Sequence, residues 1–474
     1  MSELLPVELV FCGEPFDAGA VRHTLRHLAM RVGWRLVAHS RYRLLYVTRG
    51  TALPDDDKLG STECVVVPSS REVAEHLRHG RTPFAVVDRG NGRVMPFPQE
   101  APRSQPGWLD GDVIAGAYAC LNLWFEQRTH PAPHDGWITF GKDWMARAGL
   151  RDPLPLADRW LDMIYETAVE LGWPATKPSR RFTIVLTHDV DYLPGRSNRG
   201  LPRFLRAFCR QLIVRRRPRD AARLLLHYGA VATRSGRPYL EVPRIVAEEK
   251  QKEARSSFQF VVASTHRRDP RYTERDIPWD AVPPDWEVCL HGSYRAARTA
   301  GRVAAERARL ERMANRPVCG YRQHYLNFEP AGLFREVAAA GLRYDMSVGY
   351  NDRSGPRAGT YFPFKPYDLD GAQPYAFWEI PLVLMDTTLA TTHRLGAAEA
   401  LQHARMTLEP VIAAGGCVAL IWHQEQCGGL LDPGYDEVYS QLLSGLARHG
   451  GRLTTGAGVI SELDAAWQES ADGP

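Results

Sequence analysis

The stretch Phe182-Thr183-Ile184-Val185-Leu186-Thr187-His188-Asp189-Val190-Asp191 decides how this chain is read. Its first half is apolar and β-branched, the composition of a strand buried on both faces. Its second half carries one imidazole and two carboxylates within four residues. An α/β fold places its chemistry where parallel strands end, at their carboxyl ends.

Working outward, apolar strands alternate with amphipathic helices from Phe182 onward, the pattern of βα units around a parallel sheet or barrel. The strands are expected at 182–187, 258–264, 286–290, 318–322, 342–348, 378–385, 417–422 and 452–455, and helices at 297–314, 330–340, 397–414 and 436–448. About eight strands is the count of a (β/α) barrel. Most of them end on polar residues: Thr265-His266, His291-Gly292-Ser293-Tyr294, Arg322-Gln323-His324, Tyr344-Asp345, Met385-Asp386 and Trp422-His423-Gln424-Glu425. A lone His at a strand end is ordinarily structural. Repeated around one rim, with types that ligate metals, these residues point to a site. Imidazole and carboxylate suit a zinc-like cation with a position left for water. Such a cation lowers the pKa of its water to about 7, and an acid opposite protonates the leaving group.

These segments resemble the polysaccharide deacetylases (carbohydrate esterase family 4, NodB-like domain). Residues 182–191 look like the family's first motif, Leu290-His291-Gly292-Ser293-Tyr294 its second and Gly320-Tyr321-Arg322 its arginine motif. Tyr344-Asp345-Met346-Ser347 resembles the aspartate motif and Leu420-Ile421-Trp422-His423 the last. The resemblance covers about 180–470 and is strongest to a subgroup with a long N-terminal domain. It implies a distorted (β/α) barrel with Asp189 as general base and Asp191 and His291 as metal ligands. It makes His423 the general acid, with Arg322 orienting the base and Asp345 tuning His423. The family's second motif has another His four residues after the first; here Arg295 stands there, and a guanidinium cannot ligate. His324 is then the first choice for the third ligand, with His188 and His266 in reserve. The implied cofactor is a divalent metal, zinc first, with cobalt, nickel or manganese as substitutes.

Residues 1–177 read as a separate α/β unit of unassigned role and 178–474 as the deacetylase-like barrel. Leu9-Val10-Phe11, Arg43 to Val47, Cys64 to Val67 and Phe84 to Val87 are short strands, and helices are expected from Asp112 to Phe125, with Asp110 or Asp112 as cap, and from Leu156 to Leu171. The chain has 474 residues, 44% hydrophobic and 24% charged, which excludes disordered, collagen-like and disulfide-scaffold classes. Its net charge of +4 is too mild to imply nucleic acid. No G-x-S-x-G, Walker or H-E-x-x-H motif occurs, and Thr455-Gly456-Ala457-Gly458 comes too late in the chain to open a dinucleotide fold. No signal peptide or apolar span of membrane length is visible, and the eight Cys lack C-x-x-C spacing, so a cytoplasmic protein with reduced thiols is expected.

Residues 196–223 carry ten Arg and one acid, Asp220, on what reads as an amphipathic helix. A solvated or interdomain face is the first reading; the sharper one is contact with an anionic glycan or a membrane surface. Trp286, Tyr294, Tyr325, Tyr361, Trp378 and Trp422 offer rings for sugar stacking, although packing is the ordinary fate of such residues. The expected activity is removal of an N-acetyl or O-acetyl group from a sugar, polysaccharide or glycan precursor. The rivals are an inactive glycan-binding protein and a hydrolase of non-sugar amides.

Overall fold

The computed structural model describes residues 4–48, 63–70, short stretches between 72 and 97, 106–129, 139–194, 200–234, 239–368 and 370–470. Leu5–Cys12 (β1), Trp34–Val37 (β2), Arg43–Thr48 (β3) and Cys64–Ser69 (β4) form a parallel sheet in the order β2-β1-β3-β4. Every residue of β4 is buried, and β1 alternates buried with more accessible positions. Helices Ala18–Val32 (α1), Val113–Leu121 (α2) and Leu156–Glu170 (α3) accompany this sheet. Asp17 caps α1 by accepting from the Ala20 amide at 2.8 Å, and Asp112 caps α2 by accepting from Ala115 at 2.9 Å. The expected strand at 84–87 begins outside the described residues.

The second sheet holds the site. Its strands are Thr183–Val190 (β5), Ser257–Phe260 (β6), Glu287–Gly292 (β7), Gly320–Gln323 (β8), Tyr344–Asp345 (β9), Trp378–Glu379 (β10), Leu382–Met385 (β11) and Cys417–Ile421 (β12). The order is β10-β9-β8-β7-β6-β5-β12-β11, all parallel, with Arg452–Thr454 (β13) pairing the start of β5. Only Ile380 and Pro381 separate β10 from β11, so one bent segment bonds to both ends of the sheet. Ile380 N donates to Asp345 O (2.9 Å) on one side, and Pro381 O accepts from Ala419 N (2.8 Å) on the other. The parallel sheet is thereby curled into a distorted barrel. Proline has no N–H to give to a ladder, which is why the closing strand breaks there.

The flanking helices are Leu201–Cys209 (α4), Pro218–Arg234 (α5), Val242–Gln251 (α6), Arg302–Ala314 (α7), Pro330–Ala339 (α8), Ala397–Ala414 (α9), Tyr435–Arg448 (α10) and Ala457–Glu469 (α11). Residues 196–223 are not one helix: residues 195–199 lie outside the described residues, and α4 passes through a π-helical turn at Arg210–Val214 before α5. The break follows from Pro218, which disfavours helix in the residue before it, and from Arg216 in the left-handed region (φ 53°). Among the described residues no helix is long and apolar enough to cross a membrane.

One apolar core runs from the first sheet into the barrel. Buried charges tie the two together. Arg357 holds Glu126 through two bonds of 2.5 and 2.9 Å, and Asp158 accepts from Arg31, Thr360 Oγ1 and the Tyr361 amide. Glu126→Ala strands the fully buried Arg357 guanidinium without its carboxylate and is expected to cost about 3–5 kcal/mol, read as a fall in the urea midpoint at unchanged slope.

Candidate active site

The site is made by alternation along neighbouring strands. Residues two apart on a strand face the same way, so Asp189 and Asp191 project together from β5, as do Arg322 and His324 from β8. Arg322 lies opposite His291 in the β7–β8 register, which brings the His291 and His324 imidazoles side by side, ring centroids 4.8 Å apart. His291 Nε2 lies 3.4 Å and His324 Nε2 3.5 Å from Asp191 Oδ1. That oxygen is buried and has no hydrogen-bond partner. One donor atom from each of Asp191, His291 and His324 falls within 4.8 Å of the other two. An unsatisfied buried carboxylate oxygen facing two imidazole nitrogens could hold a divalent cation.

The outer contacts fix which nitrogen faces inward. His291 Nδ1 donates to Arg322 O at 3.0 Å, leaving Nε2 as the lone-pair donor. His324 Nδ1 lies 3.4 Å from Asp269 Oδ1. Asp269 in turn accepts from the amides of Thr265, His266 and Tyr294. Burial alone would raise the Asp269 carboxyl, but His324 and these amides hold it down at about 2. Burial works against charge on His324, yet Asp191 and Asp269 raise it to about 9. Asp191 is held well below the usual carboxylate range by both imidazoles, against the opposing effect of burial. The pocket is electrostatically prepared for positive charge at this point.

Asp189 is held differently. Its Oδ1 accepts from Arg322 Nη1 at 2.6 Å, while Oδ2 sits 3.5 Å from His291 Nε2. Arg322 also donates to Thr187 Oγ1 (2.8 Å) and Met346 O (3.1 Å), so its plane is locked. Burial would raise the Asp189 carboxyl; Arg322 and the histidines lower it below its ordinary value. Across Asp191, His423 Nε2 approaches Oδ2 at 3.7 Å. His423 Nδ1 bonds Asp386 Oδ1 at 2.6 Å, and Asp386 Oδ2 accepts from the His423 amide at 2.9 Å. Burial disfavours the imidazolium, but Asp386, with Asp191 and Asp189 behind it, raises His423 to about 10.

The partner of His423 is therefore Asp386 and not Asp345. Register explains the difference. Met385 pairs with Ile421 across β11 and β12, so the residue after each strand, Asp386, comes beside the 422–423 turn. Asp345 instead pairs with Glu379 across β9 and β10, where its Oδ1 accepts from Ser347 Oγ at 2.6 Å. Of the two reserve ligands, His188 faces away from the site. It is wholly buried between Trp422 O (2.6 Å) and Glu249 Oε1 (2.8 Å), and Tyr439 donates to the same carboxylate. His266 stacks on Tyr294, ring centroids 4.5 Å apart. Arg295, in place of the expected second His, is exposed and caps a short 3₁₀ turn at 296–298. Asp269, Asp386 and Glu425 are the polar residues that motif reading assigned no role. Glu425 is buried at the edge of the pocket and paired with Arg203.

Five of the six rim aromatics are buried packing residues, namely Trp286, Tyr294, Tyr361, Trp378 and Trp422; Tyr325 is 44% exposed beside His324. Tyr325 and Leu326 take left-handed backbone (φ 59° and 51°), so the chain turns out of β8 directly after His324. Such conformations cost about 1–3 kcal/mol each and collect at functional sites.

No family model and no curated protein matches the sequence. Among solved structures, the chain is similar to one from Mycobacterium smegmatis, provisionally assigned as a polysaccharide deacetylase. Identity is 17%, the TM-score 0.38, and the match covers 62% of this chain and 92% of that one. It is also similar to a mutant of a CE4 family pseudoenzyme with restored enzymatic activity, at 10% identity and a TM-score of 0.31, covering 62% of this chain and 70% of that one.

Proposed function

We propose that this protein is a metal-dependent hydrolase that removes an N-acetyl or O-acetyl group from a sugar or glycan precursor. The observation that carries the reading is the placement beside the Asp191–His291–His324 cluster of Asp189 Oδ2, the carboxylate oxygen that Arg322 does not engage, and of a carboxylate-backed imidazole, His423. Those three residues would hold the cation, with zinc favoured by the donor set and cobalt, nickel or manganese as alternatives. When bound, the cation supplies Lewis acidity, lowering the pKa of a water to about 7 and polarising an acyl oxygen.

The chain's own groups do the proton work. Asp189, ionised and turned by Arg322, takes a proton at Oδ2 from the attacking water. His423, cationic at neutral pH, gives its Nε2 proton to the departing amine or hydroxyl. Asp386 keeps the imidazole oriented and charged through Nδ1. Tyr325, 44% exposed beside His324, offers an aromatic ring to a sugar. The eight cysteines are all free thiols, which suits a reducing cytoplasm.

Arg295 favours an inactive glycan-binding role, but His324 offers a third ligand-type side chain from the neighbouring strand end. Acetate release from panels of N- and O-acetylated sugars and of non-sugar acetamides, with His423→Ala as control, tests the reading. Sugar-specific release that His423→Ala loses supports it; release only from the non-sugar amides, or from nothing in the metal-loaded protein, contradicts it. Asp386→Asn adds a pH signature. His423 works while protonated, so activity falls as pH rises through its pKa. Removing the carboxylate lowers that pKa, and the alkaline limb of kcat/KM is expected to move down by about one unit or more.

A further inference from the structure

We propose that the helical hairpin formed by α4 and α5 docks on an anionic lipid surface, with its apolar crest in the headgroup region and its outward arginines against lipid phosphates. The hairpin is a built element. Its inner face has a core of its own, made by Phe204, Ala207, Leu224, Tyr239 and Leu430. Arg215 and Arg210 fasten it to Asp432 at 2.6 and 3.1 Å, and Arg203 pairs with Glu425, two residues beyond His423. The hairpin is thus pinned at the edge of the catalytic pocket.

Its outer face is apolar where a solvated face would be polar. Leu201 and Leu205 lie one turn apart on α4 and are 52% and 49% exposed. Leu212, Ile213 and Val214 stand consecutively exposed at the π-helical turn, and Leu225 and Leu226 follow on α5. Seven of the nine large apolar side chains exposed among the described residues fall between 201 and 226, so the apolar exposure belongs to this element and not to the surface at large. Arg206, Arg216, Arg219 and Arg223 are exposed among them, and Asp220 is the one acid in the stretch.

Charge selects the occupant. A second copy would set arginine against arginine, and a nucleic acid would answer the arginines while leaving Ile213 and Val214 in water. An anionic bilayer surface receives both, since apolar side chains enter at the acyl boundary while arginines stay at phosphate depth. The exposed Leu-Ile-Val triplet, followed two residues on by exposed Arg216, has that order along the chain.

Vesicle binding requires no turnover, so its result is separate from that of the deacetylase reading. The full chain is sedimented at physiological salt with vesicles of mixed phosphatidylglycerol and phosphatidylcholine, and with phosphatidylcholine alone. Binding is expected to the anionic vesicles and to be much weaker to the neutral ones. Arg216→Glu with Arg219→Glu, and separately Ile213→Glu with Val214→Glu, should each weaken it about tenfold or more, since each basic residue near such a surface is worth roughly fivefold. Met406→Glu, at an exposed apolar residue elsewhere, should leave it unchanged, and an unaltered thermal unfolding midpoint in every variant shows that the fold is kept. The proposal is overturned if the wild-type chain stays in the supernatant with anionic vesicles, or if the Ile213/Val214 variant binds them as wild type does. A concentration-dependent dimer that the same substitutions dissociate, without vesicle uptake, would assign the face to self-association instead.

Discussion

Asp189→Asn is expected to lower kcat/KM for deacetylation by about a thousandfold, within the 10²–10⁴ that a positioned general base contributes. The substitution is nearly isosteric, so Arg322 loses a charge-assisted bond of 2.6 Å but keeps an acceptor at the same place. What disappears is the proton-accepting Oδ2, the oxygen that Arg322 does not engage. Metal affinity should change little, because Asp189 is not among the three converging donors. Rate-limiting base loss with intact metal binding separates a base from a ligand. A fall in zinc affinity matching the fall in rate would place Asp189 on the metal instead. Measured as single-turnover acetate release against zinc-loaded protein, the two outcomes do not overlap.

His324→Ala is the second large effect. Even groups that merely hydrogen-bond to a metal ligand alter affinity 10–100-fold, so losing a ligand should weaken zinc binding by about a hundredfold or more. His324 is buried and raised to about 9 by Asp191 and Asp269, which means its nitrogen sits in a strongly negative field in the metal-free protein. A cation takes over the role that a proton plays there, so zinc binding is expected to release protons and to weaken as pH falls through that range. Titration calorimetry in two buffers of different ionisation enthalpy reads both affinity and proton release. Arg295→His should not rescue the variant, because position 295 is exposed and outside the donor cluster.

The barrel was legible because its strands are buried, short and apolar. The expected strand at 378–385 was the right segment, although Pro381 splits it into β10 and β11. Helix α9 runs from 397 to 414 as its periodicity implies, and α10 needs one residue added at its start. The helix at 242–251 is not legible in the sequence, since its Pro243 and the charged Glu248, Glu249, Lys250 and Lys252 blur the apolar stripe. His324 was within reach because it follows Arg322 by two residues and so shares its face. Asp386 was not singled out, although it ends a strand, because its pairing with His423 depends on the β11–β12 register. Spacing along the chain carries no record of which strands become neighbours. Asp345 was favoured over it by motif order alone, and motif order is blind to Glu379 lying opposite. The exposed crest on α4 and α5 was equally hidden: apolar residues at helical spacing read the same whether they face a core or the solvent.

The most direct test of the metal-centre account is anomalous diffraction from crystals of the full chain soaked with zinc. The account predicts one strong peak per chain between Asp191, His291 and His324, with ligand distances of about 2.0–2.2 Å, His291 Nε2 and His324 Nε2 both in contact, and Asp189 Oδ2 outside the coordination shell. A peak held elsewhere, or zinc bound without His324, would contradict it.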